Sequence, residues 1–194
     1  MPLVEIPPVV DPFDEPALVE RARTDAEAFA QLYRLYVPRI HAFTYRRSRS
    51  REVAEDVTAA TFEQALRSLP SFQWKGGGFG PWLFRIAANQ LVDHYRTEQR
   101  ARGRRENRPL GRLEALPPAA GFDEVDDAAG ADRILVCLAT LNPRYQKAIS
   151  LRYLAGLSPA EAAEAMGTTK PVLAVTLHRA LAALRRALEK EEEQ

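Results

Sequence analysis

The chain has 194 residues, 46% hydrophobic and 27% charged, with a formal net charge of +1. That is the composition of one or two ordinary globular domains, and no apolar run is long enough to span a bilayer. Cys137, in "RILVCLATL", is the single cysteine, which excludes an internal disulfide or a multi-cysteine metal site and reads as a small buried apolar residue.

The near-neutral total conceals a segregation of charge. Residues 1–25 carry two arginines and six acids, while residues 26–105 carry fourteen Lys/Arg and seven acids. Residues 106–130 carry two and six, and 131–194 carry nine and seven. A basic block between acidic segments is the pattern of a polyanion binder; the alternative is chance segregation on a mixed surface.

The start, "MPLVEIPPVVDPFDEP", is rich in proline and acid. It has neither the basic stretch nor the apolar centre of a signal peptide, so a cytoplasmic chain is expected, with residues 1–24 as a flexible extension. From Asp25 to Arg47 the apolar residues Phe29, Leu32, Tyr33, Tyr36, Ile40 and Phe43 recur at helical spacing, and Pro38 predicts a kink or break. A second helix follows over 51–69, with Ser50 as its cap and Pro70 as its stop. Residues 71–80 read as a glycine-rich loop, and helix resumes at Pro81 and runs to about Arg102.

Residues 106–130, with their prolines, glycines and acids, read as a linker. Helix restarts near Ala131 and again at Pro143, and Gly156 is a natural stop. Ser158, Pro159 and Glu161 form a capping-box signature for a short helix ending at Gly167. Thr168 or Thr169 caps a last helix that runs into "EKEEEQ". With no strand-like alternation anywhere, the expected fold is all-α, with two small helical domains, 25–105 and 131–190, joined by a flexible linker. A short helix, a glycine turn and a longer helix match a helix-turn-helix, although many helical bundles contain the same pattern.

The stretch "WKGGGFGPWLFRIAANQLVDHYR" holds both tryptophans, Trp74 and Trp82. At 100° per residue Leu83, Phe84, Ala87, Leu91 and Tyr95 share one side, and Arg85, Asn89, Asp93 and Arg96 the other. The polar side continues into Arg100, Arg102, Arg104 and Arg105. Such guanidinium groups can bind phosphates along a strand, and the Asn89 amide can bond a base edge in two directions. Trp82 and Phe79, where loop meets helix, would stack on bases or pack in a core. Residues 76–78 would let backbone approach a ligand or act as a connector, but no Gly-Lys-Ser/Thr makes them a phosphate loop. His41, His94 and His178 lie on separate helices, and no paired carboxylates share a pocket, so no catalytic set, metal site or cofactor is expected.

"AEDVTAATF" followed by "WLFRIAANQLVDHYR" resembles region two of the bacterial RNA polymerase sigma factors, in the extracytoplasmic-function (ECF) group. "LATLNPRYQKAISLRYLAGLSPAEAAEAMG" with "LHRALAALR" resembles region four of that group. The two matches lie in the family's order over about 25–105 and 131–188. The resemblance implies docking on the clamp helices of the RNA polymerase largest subunit through Glu55, Asp56, Val57, Thr58 and Phe62, with the polymerase flap as a further contact. It implies capture of the melted downstream promoter element by the 72–80 loop with Trp74, Lys75 and Phe79, and by Trp82, Arg85, Asn89, Asp93, Arg96 and Arg100. For region four it implies upstream promoter contacts from Arg152, Thr169, Lys170, Val172, Val175, Thr176 and Arg179. An anti-sigma factor is a further implied partner.

The chain departs from the family in three places. The 72–80 loop is longer than usual and unusually glycine-rich, so a different preferred base is expected. Ala59 and Ala60 stand where glutamine and glutamate are frequent, and Val172, Ala174 and Val175 stand where polar residues are usual. Valine touches a thymine methyl but reads no base by hydrogen bonding, so a weaker or differently chosen upstream contact is expected, or a face that binds a regulator protein. The competing readings are a helix-turn-helix regulator that works without polymerase and a scaffold that no longer reads promoters.

Overall fold

The computed structural model describes residues 14–74, 77–104 and 128–192, except for the side chains of 98–104, 128–129 and 192. The linker assigned to 106–130 lies outside these residues apart from its last three. Among the described residues the regular structure is entirely helical.

Helix α1, Glu15–Arg21, is capped by the Asp14 carboxylate, which accepts from the Ala17 N–H at 3.2 Å. It falls inside the extension expected to be flexible. A helix forms there because Val19 and Ala22 are buried in the core. Helix α2, Ala26–Ser48, runs through Pro38 without a break. One missing N–H is tolerated because buried residues on both sides, Leu32, Tyr36, Ile40 and Phe43, fix the helix against its neighbours. It ends at Arg49, whose φ of 54° is left-handed.

Helix α3, Arg51–Ser68, starts at Ser50, whose hydroxyl accepts from the Val53 N–H at 3.3 Å, and gives way to a 3-10 turn, Leu69–Ser71. Helix α4, Phe79–Arg104, begins two residues earlier than the sequence suggests. The fully buried Phe79 anchors its first turn, and Pro81 then takes the third helical position, where its missing N–H has no intrahelical partner to lose.

In the second unit, α5 is Ala128–Thr140 and α6 is Pro143–Ile149, capped by Asn142. A π turn, Ser150–Leu154, closes with the Ala155 N–H donating to Ser150 O at 2.9 Å. Helix α7, Pro159–Ala165, has the expected capping box: the Glu161 N–H donates to the Ser158 hydroxyl at 3.3 Å, and the Ser158 N–H donates to the Glu161 carboxylate at 2.8 Å. The Ser158 bond holds the Glu161 carboxyl below the usual range. Gly167, with φ +62°, turns the chain into α8, Lys170–Glu192. Ser158→Ala is expected to lower stability by about 1 kcal/mol, read as an earlier midpoint in a denaturant melt.

One apolar core runs through α1–α4 and on into the second unit, where Leu151, Leu157, Ala162, Ala163, Ala165 and Leu173 belong to the same cluster. A smaller core, Cys137, Leu138, Ile149, Ala180 and Leu184, joins α5, α6 and α8. Polar contacts also bridge the units. Arg46 donates to Leu154 O at 3.0 Å, Arg47 to the Gln146 side-chain oxygen at 3.2 Å, and Arg49 pairs with Asp132 at 3.2 Å. The two units therefore pack face to face.

Candidate nucleic-acid interface

The start of α4 is built on aromatic edges. Phe72 and Trp82 have ring centroids 4.9 Å apart, Phe79 and Trp82 5.2 Å, Phe72 and Phe79 5.9 Å, and Phe72 and Trp74 6.1 Å. Tyr36 supports Phe79 from below at 5.4 Å. Gly80 allows that approach, since a Cβ there would lie 3.3 Å from the tyrosine ring. Gly78 takes φ +86° beneath Trp74, a conformation that favours glycine.

The phenol of Tyr36 donates to the Glu15 carboxylate; burial first, and this bond second, raise its pKa well above the usual value. Arg23 donates to Pro70 O at 3.1 Å and to Phe72 O at 2.8 Å. The sequence reading missed Glu15 and Arg23 as supports of the loop. No local signal could have found Arg23, whose partners lie 47 and 49 residues away.

Phe79 requires a correction. It is fully buried among Tyr36, Phe72 and Trp82 and has no face left for a base. Trp82 is half-buried and Trp74 is 43% exposed, so the ring surface at the mouth belongs to the two tryptophans. Beyond them Arg85, Asn89, Asp93 and Arg96 are exposed along α4, one turn apart. Lys75 lies outside the described residues, as does the side chain of Arg100. A cleft of about 1190 Å³ opens beside this row, with Trp82, Arg85 and Asn89 on one wall and Glu164, Thr169 and Lys170 on the other.

On α3, Glu55 and Asp56 are exposed, and Glu55 accepts from Arg51 at 2.7 Å, which lowers its pKa. Val57, Thr58 and Phe62 are buried and are corrected to core residues. Thr58 shares a hydroxyl contact with Thr44 at 3.1 Å, and Phe62 packs edge-on against Tyr33 at 4.6 Å. The helix puts them inside because they fall on the stripe shared with Ala54, Thr61 and Ala65. The apolar groups exposed nearby are Tyr33 and Leu66.

On α8, Lys170, Val172, Val175 and Arg179 are exposed, as is Thr169 just before it. Thr176 is also corrected: it is buried, with its hydroxyl donating to Val172 O at 2.8 Å. Arg152 is half-buried and donates to Leu157 O at 3.1 Å, where it braces the turn before α7.

Two family models match the chain in order: Sigma-70 region 2 over residues 32–101 and Sigma-70, region 4 over residues 131–184. The ECF RNA polymerase sigma factor BldN of Streptomyces coelicolor is 34% identical over 88% of this chain, which spans 64% of BldN's length. The ECF RNA polymerase sigma factor SigE of Mycolicibacterium smegmatis is 31% identical over 93% of this chain and 71% of SigE. The sigma factor RpoE of Bartonella quintana, solved in complex with the anti-sigma factor NepR, shares the fold, with a TM-score of 0.60 at 24% identity over 84% of this chain and 98% of RpoE. The helical units at 32–101 and 131–184, matched in family order and supported by the likeness to SigE along most of both chains, lead to one conclusion: this chain belongs to the ECF RNA polymerase sigma factors.

Proposed function

We propose that the chain binds core RNA polymerase, holds separated bases of the downstream promoter element on α4, and sets α8 against upstream duplex. The observation that carries this reading is the exposed row Arg85, Asn89, Asp93 and Arg96 leading to the half-buried Trp82. Extruding a base costs a few kcal/mol, and stacking returns about 1–3 kcal/mol per base with phosphate contacts adding more. Binding energy can therefore favour opening without chemical catalysis, in keeping with a family of regulatory proteins.

The proposed polymerase dock is the outer face of α3 and α2: Glu55 and Asp56 with the exposed Tyr33 and Leu66, set toward the clamp helices, while the second unit meets the flap. The proposed compartment is the cytoplasm, where polymerase and promoter DNA are found. An anti-sigma factor is a proposed regulatory partner, as NepR is for RpoE. Run-off transcription with purified core polymerase on genomic fragments tests the proposal. Discrete promoter-dependent products are expected; a chain that neither copurifies with polymerase nor yields such products refutes it.

Upstream, Val172 and Val175 offer methyl contacts, and Lys170 and Arg179 offer charge. Val175→Arg adds a guanidinium to the exposed face of α8. It is expected to tighten binding to upstream duplex and to steepen the dependence of log K on log salt by about 0.9. Unchanged affinity and slope would show that this helix does not enter the groove.

A further inference from the structure

We propose that the cleft between α4, α6 and the α7–α8 turn binds a small anion carrying two or more phosphates, such as a nucleoside polyphosphate. The cleft holds about 620 Å³, within the roughly 300–1,000 Å³ of small-molecule sites. Arg85 lines it from α4, and Arg144 and Lys147 line it from α6. Among the described residues no Asp or Glu lines it; Glu164 belongs to the adjoining cleft.

These three cations are also unpartnered. None of them makes a hydrogen bond or ion pair with another described residue. Arginines elsewhere on the surface do pair: Arg21 with Asp25, Arg34 with Glu27, and Arg51 with Glu55. Packing of the units thus gathers like charges from both into one recess, whose protein walls focus the potential. Like charges repel, so an anion seated among them relieves a cost of that packing as well as making its own contacts.

The side chains suit phosphate in particular. Arg85 and Arg144 offer planar forks that match phosphate oxygens in pairs, and Lys147 adds a point charge. Asn89 and Thr168 contribute an amide and a hydroxyl. One phosphate, at about −1.5 to −2, leaves part of the triple positive charge unmatched, whereas two or more match it. Leu151, Ala165 and Met166 supply an apolar wall on which a heterocycle can lie, with the polarizable thioether against its ring. Arg85 and Asn89 also belong to the strand path proposed above; on that reading an occupied site competes with DNA.

The test titrates the full chain by calorimetry with adenosine triphosphate, inorganic tripolyphosphate and adenosine, without divalent metal and at fixed ionic strength. Both triphosphates are expected to bind at a single site, and adenosine is not. Arg144→Gln with Lys147→Gln should weaken triphosphate binding by about tenfold or more, because each change removes a charge-assisted contact. Arg185→Gln with Arg186→Gln removes the same charge from the exposed side of α8 and should leave binding unchanged. Circular dichroism should show that both double variants keep their helices. Tighter binding of adenosine triphosphate than of tripolyphosphate supports the apolar wall as a nucleoside seat, and equal affinities remove the nucleoside from the proposal. Absence of triphosphate binding, or an equal loss in the two double variants, overturns the site.

A fluorescein-labelled bubble duplex tests the consequence. Saturating tripolyphosphate should weaken bubble binding by the parent, while the same concentration leaves the Arg144→Gln, Lys147→Gln chain unaffected. Undiminished bubble binding at saturation overturns the competition. A chain that ignores the bubble altogether refutes the proposed function, and the titrations then still decide the phosphate site.

Discussion

Replacing Phe79 by alanine is expected to destabilise the chain by about 3–5 kcal/mol, the cost of emptying a large aromatic site in a packed core. The ring is fully buried and meets Tyr36, Phe72 and Trp82 edge-on or tilted, so its loss removes packing for three other rings at once. For a chain of this length the fall in Tm should be roughly 6–20 °C. The cavity cannot close easily, because Gly80 already lets the Tyr36 ring approach the backbone and Arg23 holds Phe72 through its carbonyl. Trp74→Ala is the contrast: that ring is 43% exposed and touches Phe72 alone among the aromatic pairs of the described residues, so its stability cost should be much smaller. Equal melting of the Phe79→Ala chain and the parent would place the ring outside the core and return it to the proposed DNA surface.

That contrast marks where the sequence was legible. Helical periodicity separated the two sides of α4 correctly, since a 3.6-residue period is a local property that single residues report faithfully: Leu83, Ala87 and Leu91 are buried, and Arg85, Asn89 and Asp93 are exposed. The capping box of α7 was equally local, fixed by Ser158 and Glu161 three residues apart. Burial depth within a short aromatic stretch was not legible. Phe79 and Trp82 are three residues apart and chemically alike, and only α2, arriving from more than forty residues earlier, decides which of them is covered.

The same limit explains α3 and α8. Family motifs are made of docking residues and core residues together, and resemblance transfers both without distinguishing Glu55 from Val57 or Val175 from Thr176. The contact between units left no mark in the sequence, because its alanines and leucines look ordinary in any helix and its polar pairs, such as Arg47 with Gln146 and Arg49 with Asp132, join residues more than eighty positions apart.

The largest functional loss is expected from Trp82→Ala combined with Asn89→Ala, measured as binding of a pre-melted bubble by the complex with core polymerase. That complex is where the proposed function places strand capture. Trp82 offers a partly exposed ring, and stacking by such a ring contributes about 1–3 kcal/mol per base. The Asn89 amide can satisfy a donor and an acceptor on one base edge, worth about 1–3 kcal/mol of discrimination. The two stand seven residues apart, about 10 Å along the helix, which is far enough for their losses to add. The double variant should therefore bind the bubble about 2–6 kcal/mol more weakly while binding polymerase as before, since neither residue lies on α3. Arg85→Ala should behave differently, with a uniform loss across sequences and a log–log salt dependence shallower by about 0.7, as expected for one phosphate contact to a single strand. A double variant that holds the bubble as tightly as the parent would mean that α4 carries no base, whatever its charge does for the phosphates, and the sequence preference of this chain would then have to reside in α8.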